Sequence, residues 1–336
     1  MTGKSLEIRN VSKIYRIGGL IGAIKIAAVD GVNLSLSLEP GQAQVLSLVG
    51  ESGSGKTTLA RMILHLVQPT HGEIIVDGIK TGGRLNRSQM RLFYQRVQPI
   101  FQNPFESFSS RKTVDSYLFE TARNILGTKS KAEAYHAVDE ALVNVGLSAE
   151  RVIGRYPNQF SGGELQRISV ARAMIPHPEL LVADEPVSMI DASMRMNVVN
   201  LFKKLRDEFN VTILYITHDL STAYYVSDRI AIMYRGSIVE FGPSTAVLKS
   251  PTHPYTELLL DSVAKIGEKW GEVVRLPDME TKEYGYVGCK FAPRCPYVRD
   301  ICRKVRPPMV AIEGERKVLC FKPVNYENVE QTKVTK

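Results

Sequence analysis

The sequence predicts an α/β fold with an antiparallel β subdomain, a helical subdomain and a small Cys-containing C-terminal domain. Three observations predict it. Apolar runs suited to buried strands pass through loops into helix-like segments, first at Val45 to Leu66 and again at Leu180 to Phe209. Two early stretches, Leu6 to Val11 and Val29 to Leu38, alternate apolar and polar residues as half-buried antiparallel strands do. All four cysteines fall after residue 288, which points to a local site in the last part of the chain.

Between the two alternating stretches sits Tyr15, whose side chain suits strand packing or stacking on an adenine ring. Glu39-Pro40-Gly41 then turns the chain into Gln44 to Val49, an apolar strand. Gly50-Glu51-Ser52-Gly53-Ser54-Gly55-Lys56-Thr57 follows and fits G-x-x-x-x-G-K-[ST], with the strand before it and the helix after it that the motif requires. Glycines let successive backbone N–H groups turn inward, and the helix N-terminus adds its positive end. Lys56 supplies charge for the outer phosphates, the Thr57 hydroxyl can ligate magnesium and Thr58 reaches the inner phosphates. The stretch reads as a nucleoside triphosphate site, so the core is a P-loop NTPase.

Gly72 to Gly78 reads as a further short strand. From Arg96 a strand leads through Gln102 into a loop rich in Phe, Ser and Pro, followed by helical segments such as Lys131 to Val145. These form an inserted helical subdomain over about residues 103–175. Ser161-Gly162-Gly163-Glu164 opens its last helix. Ser161 and Glu164 fit a capping box, which leaves the two glycines unexplained. Leu180 to Asp184 is an apolar strand ending in the carboxylate pair Asp184-Glu185, suited to holding magnesium through water and to taking a proton from an attacking water. Asp191 precedes an amphipathic helix from Ala192 to Phe209. Thr212 to Thr217 is another buried strand with His218 at its end, and Ile230 to Phe241 forms a hairpin across Arg235-Gly236. Pro251 and Pro254 mark a linker, which puts the domain boundary near residue 245: an ATPase domain over 1–245 and an extension over 246–336.

With 336 residues, 44% of them hydrophobic, the chain can fill one large domain and a smaller one. No run of about eighteen apolar residues occurs, and Met1 to Asn10 is polar, so a soluble cytoplasmic protein is expected. The net charge of +8, from 43 Lys plus Arg against 35 Asp plus Glu, allows nucleic acid or an anionic membrane surface as a neighbour and decides neither.

The phosphate loop, the glutamine after a strand, SGGE, DE and the late histidine, in that order, resemble an ATP-binding cassette (ABC) ATPase over roughly the first 245 residues. The resemblance implies that Tyr15 stacks on adenine and that Gly50, Ser52, Gly53, Gly55, Lys56, Thr57 and Thr58 hold the phosphates. It implies that Thr57, Gln102 and Asp184 serve Mg2+, that Glu185 is the catalytic base, and that His218 contacts the terminal phosphate. Ser161, Gly162, Gly163 and Glu164 resemble the family signature, and Asp191 the interface aspartate. Such cassettes dimerise head to tail, each ATP lying between one chain's phosphate loop and the other's signature. Two departures stand out. Glu164 replaces the common Gln, a carboxylate that repels phosphate unless it turns back to cap its own helix, and Ser188-Met189-Ile190 replaces Ser-Ala-Leu.

Ser250-Pro251-Thr252-His253-Pro254-Tyr255-Thr256 and Cys289-Lys290-Phe291-Ala292-Pro293-Arg294-Cys295-Pro296 resemble the C-terminal region of the ATPases of oligopeptide and dipeptide importers. That implies a prokaryotic ATPase at the cytoplasmic face of the membrane. Its expected partners are a second ATPase subunit, often a non-identical paralogue, two transmembrane permease subunits and an extracellular solute-binding protein, with no nucleic acid. Peptides are the expected cargo, with oligosaccharides or nickel in some relatives. Cys289, Cys295, Cys302 and Cys320 could be free thiols, a zinc site or an iron-sulfur site. Their spacing fits zinc poorly, and some relatives carry a [4Fe-4S] cluster here. Six nearby cations, Lys290, Arg294, Arg299, Arg303, Lys304 and Arg306, are expected to lower the thiol pKa values. The alternative is a soluble ABC ATPase acting on nucleic acid or ribosomes, although such relatives usually carry two cassettes or a long coiled-coil insertion.

Overall fold

The computed structural model describes residues 5–17, 24–262 and 286–323. The first four residues and residues 263–285 and 324–336 of the expected extension lie outside the described residues.

The chain opens with two long strands, β1 (Ser5–Ile17) and β2 (Ile24–Ser37), and then enters β3 (Val45–Val49) and α1 (Lys56–Ile63). β4 (His71–Val76) and β5 (Ile79–Lys80) complete a four-stranded antiparallel sheet in the order β2-β1-β4-β5. The first pair outruns the alternation that marked it because the register shifts at Val11 and Lys13. Such bulges interrupt the period of two by which the strands were recognised.

α2 (Arg87–Arg96) leads into β6 (Val97–Ile100). The helical part follows as α3 (Val114–Thr121), α4 (Lys131–Asn144), α5 (Ala149–Val152) and α6 (Gly162–Met174). The chain returns through β7 (Leu180–Asp184), α7 (Ala192–Phe209), β8 (Thr212–Thr217), α8 (Leu220–Val226), β9 (Arg229–Tyr234) and β10 (Ser237–Pro243). α9 (Ser244–Lys249), α10 (Pro254–Asp261), α11 (Asp300–Lys304), β11 (Met309–Ile312) and β12 (Arg316–Leu319) end it.

β3, β6, β7, β8 and β9 form the parallel heart of an eight-stranded sheet in the order β11-β12-β10-β9-β3-β8-β7-β6. Alternate side chains of these strands feed opposite cores. Leu181, Ala183, Ile213 and Tyr215 pack with the helical subdomain, whereas Leu180, Val182, Leu214 and Ile216 pack with α1 and the antiparallel sheet. All five residues of β3 are buried, each apolar one contributing roughly 1.5–3 kcal/mol by leaving water.

Two features of the C-terminal part differ from the sequence expectation. Pro254 does not mark a linker: it occupies the first turn of α10, where a missing N–H costs nothing, and His253, Tyr255 and Thr256 are buried. The last hairpin also joins the core sheet, because β12 pairs antiparallel with β10 at Glu240 and Phe241. A third core of Val49, Ile230, Ile232, Tyr234, Val239, Tyr255 and Phe291 binds the two parts together.

Candidate functional site

The strand ends on one side of the parallel sheet converge. Beyond β3 the chain curls at Gly50 to Gly55, where Gly53 and Gly55 have φ of 75° and 106°. Side chains are excluded here by the backbone behind the loop. A Cβ on Gly50 would lie 2.1 Å from the Met233 carbonyl oxygen, and one on Gly55 2.0 Å from that of Ala28. The Arg235-Gly236 turn also supports the loop, with the Gly236 N–H donating to the Ser54 carbonyl at 2.8 Å. Lys56 is 5% exposed and folds back onto the loop, its Nζ 2.7 Å from the Gly50 carbonyl and 2.9 Å from that of Glu51. Burial lowers its pKa, opposed by the charges of Glu185, Asp184 and Glu51. The N-cap of α1 is Gly55, which has no side chain to cap it.

β7 delivers the two carboxylates to the same place. Thr57 Oγ1 donates to Asp184 Oδ1 at 3.3 Å. Burial raises the Asp184 pKa, with the Thr57 hydrogen bond opposing. These are hard oxygen donors, one in the first turn of α1 and one at the end of β7, the set Mg2+ takes alongside phosphate oxygens. Glu185 adopts a positive φ of 47° and is held at both oxygens: Gln102 Nε2 donates to Oε2 at 3.2 Å, and His218 Nδ1 lies 3.2 Å from Oε1. The structure therefore brings Lys56, Thr57, Gln102, Asp184, Glu185 and His218 together. Tyr15 is exposed on β1 opposite Ile26, two residues from the Ala28 that abuts Gly55, with Lys13 Nζ 5.4 Å from its ring centroid.

The signature lies in the helical part. Ser161 caps α6, with Oγ accepting from the Glu164 N–H at 3.3 Å, while Glu164 accepts from the Ser161 N–H at 3.0 Å. Arg151 donates to Glu164 at 2.7 Å. These contacts hold the carboxyl below its usual range, the Ser161 backbone bond first, so Glu164 faces its own helix end. Gly163 packs beside Ile190 and Met194, next to Asp191, the residue that precedes α7. Phe101, Phe105 and Met189 are exposed close by in sequence to Gln102 and Asp191.

Cys289 and Cys295, Cys302 of α11 and Cys320 just after β12 line one cavity of about 220 Å³ with Phe291, Tyr297, Arg299 and Lys322. Among the described residues no group of three or more His, Cys, Asp or Glu is arranged to hold a metal ion. The expectation of lowered thiol pKa values is overturned. Burial, reinforced by the neighbouring cysteines, pushes Cys289 up to about 11 and raises Cys295 and Cys320, and two of the six cations are paired elsewhere, Lys290 with Asp30 and Arg294 with Glu51.

The sequence reading missed the residues that brace the phosphate loop from the C-terminal part. The Glu51 N–H donates to Tyr255 Oη at 3.0 Å, and Arg294 forks onto the Glu51 carboxylate at 3.2 and 3.3 Å. Only its position beside Cys295 singled Arg294 out.

Comparison with known proteins identifies relatives of the chain. The ABC transporter family model matches residues 32–188, and the oligopeptide/dipeptide transporter C-terminal region matches residues 239–302. The oligopeptide transport ATP-binding protein AppF of Bacillus subtilis is 38% identical over 325 residues, spanning 94% of this chain and 96% of its own. AmiF of Streptococcus pneumoniae, described in the same words, is 43% identical over 263 residues, 78% of this chain and 82% of its own. Among solved structures, a dimeric ATP-binding cassette in a post-hydrolysis state with ADP and Pi matches at a TM-score of 0.61 and 28% identity, covering 71% of this chain and 98% of that one. Among the described residues no helix is long and apolar enough to cross a membrane. The chain belongs to the ABC transporter ATPases, in the group that carries the oligopeptide/dipeptide transporter C-terminal region.

Proposed function

We propose that this chain is the ATP-hydrolysing subunit of a prokaryotic importer for peptides or related solutes, working at the cytoplasmic face of the membrane. The carrying observation is the carboxylate of Glu185, clasped at one oxygen by Gln102 and at the other by His218, beside the phosphate loop. Lys56 neutralises the outer phosphates. Thr57, Gln102 and Asp184 would hold Mg2+, which when bound offsets phosphate charge. Glu185 takes the proton of the attacking water, and His218 keeps that carboxylate aimed while reaching the terminal phosphate. Tyr15 receives the adenine. Ser161 to Glu164 and Asp191 serve the ATP held by the facing cassette.

The importer consists of this subunit, a second ATPase that is a paralogue, two membrane permeases and an external solute-binding protein. The exposed Phe101 and Phe105 beside Gln102 pass nucleotide-driven closure to the permeases. The relatives named as oligopeptide transport proteins support this over action on nucleic acid. The four cysteines line one cavity, and their C-x5-C-x6-C-x17-C spacing suits a [4Fe-4S] cluster better than the tighter pairs of zinc sites. Such a cluster would tie the Cys289–Cys295 turn, α11 and the end of β12 into one unit. Anaerobically purified protein should carry cysteine-bound iron, and stoichiometric zinc in its place would refute this assignment.

The Glu185→Gln variant loaded with ATP tests the central reading. With its paralogue supplied it should form a closed cassette dimer on size-exclusion chromatography. A protomer that stays single under those conditions overturns the proposal.

A further inference from the structure

The grip on Glu51 reaches past the motif that defines the phosphate loop. In the loop Glu51 occupies a position where the motif accepts any residue. Here its side chain and backbone are both taken. Arg294 places two nitrogens on two carboxylate oxygens, and the pair is nearly buried, with side chains 9% and 17% exposed. Tyr255, fully buried, accepts the Glu51 N–H and packs its ring against Tyr234 and Phe291, with centroids 4.5 and 5.6 Å away. A second strut runs beside the first. Lys290 Nζ donates to the Arg235 carbonyl at 2.7 Å and pairs with Asp30 at 2.7 Å, and the next residue, Gly236, holds the Ser54 carbonyl.

Both struts are covalent neighbours of cavity cysteines. Lys290 follows Cys289 and Arg294 precedes Cys295, with the cavity residues Phe291 and Ala292 between them. The Ala292 N–H also donates to the Cys289 carbonyl at 2.9 Å, so the segment is one tight turn. A backbone shift at Cys289 or Cys295 is passed directly to a residue that holds the loop.

We propose that Arg294 is a positioning residue for nucleotide binding, and that the state of the four-cysteine cavity sets the loop's affinity for ATP through it. A fork-on-fork ion pair out of water fixes both distance and orientation, which a lone backbone hydrogen bond does not. By linkage, a change in the cavity that alters ATP affinity is itself altered by ATP by the same factor. The inference rests on the reading of Gly50 to Thr58 as the nucleotide site.

The test is titration of the full chain with a fluorescent ATP analogue, alongside ATPase kinetics and thermal melting. Arg294→Gln should weaken nucleotide binding by about 5- to 20-fold, within the range of site-to-site couplings, and raise KM with kcat nearly unchanged. Arg294→Lys should recover part of the loss, and the exchange Glu51→Arg with Arg294→Glu should recover more, which keeps the test valid if the Gln variant folds poorly. Cys295→Ser should weaken binding in the same direction, and adding Arg294→Gln to it should weaken it little further. Wild-type affinity in Arg294→Gln overturns the positioning role. Wild-type affinity in Cys295→Ser, or full additivity of the two changes, overturns the link to the cavity. A wild-type chain that binds no nucleotide would instead refute the reading of the loop itself.

Discussion

Glu185 occupies left-handed backbone space that non-glycine residues seldom enter, at a cost of about 1–3 kcal/mol. Its N–H donates to the Ile216 carbonyl of the next strand, and its own carbonyl accepts from the Ser188 hydroxyl. The strain is thus held by β8 on one side and a tight turn on the other, and it turns the carboxylate toward Gln102 and His218. Replacing Glu185 with Gln should lower kcat by about 10²-fold or more, the usual share of a general base, while ATP affinity stays within about twofold. Equal losses in both would mean that the residue serves binding. Gly55 carries the opposite constraint, because it has no room for a side chain. Gly55→Ala should abolish nucleotide binding in the same titration, through both its φ of 106° and the 2.0 Å approach to Ala28. An alanine variant that still binds would show that the loop can be rebuilt around a methyl group.

The capping box at the start of α6 is an element in its own right. Ser161→Ala should cost about 0.5–2 kcal/mol of stability by urea unfolding, the usual loss at an N-cap, and it should also weaken the ATP-driven dimer if the hydroxyl is exchanged for the facing nucleotide. A dimer unchanged by this substitution would leave Ser161 a cap and nothing more. Glu164 adds a pH signature. Its carboxyl is held below the ordinary range when folded, so the unfolded chain takes up the proton first as pH falls. The stabilisation is therefore complete above the unfolded value, near the ordinary 4.5, and is lost as pH drops through the folded one. The stability advantage of the wild type over Glu164→Gln should be present at pH 7 and shrink below pH ~4, and an advantage independent of pH would locate the effect outside this carboxylate.

At the scale of the whole molecule, the parallel strands and the residues of the candidate site were legible because they are local. A five-residue buried strand followed by a glycine loop, or one ending in Asp-Glu, carries its meaning in consecutive letters. The long antiparallel pair was only half visible, since its bulges break the alternation. The bracing of the loop was invisible, because Glu51 meets Arg294 across 243 positions and no short-range pattern encodes that meeting. The same holds for β12, whose pairing with β10 follows from the fold of everything before it. Removing residues 263–336 should therefore uncover the edge of β10 and the apolar residues around Tyr234, Val239 and Tyr255, with loss of soluble yield and a lower Tm. A shortened chain that stays soluble and melts as before would show the cassette to be self-sufficient.

Because the phosphate loop is wedged against Ala28, Met233 and Gly236 and tethered to Tyr255 and Arg294, its eight letters are not a portable device. Grafted onto another sheet of similar twist, they would keep their composition and lose the surroundings that give them a shape. Engineering a new triphosphate binder from this template means transplanting five distant supports along with the octapeptide.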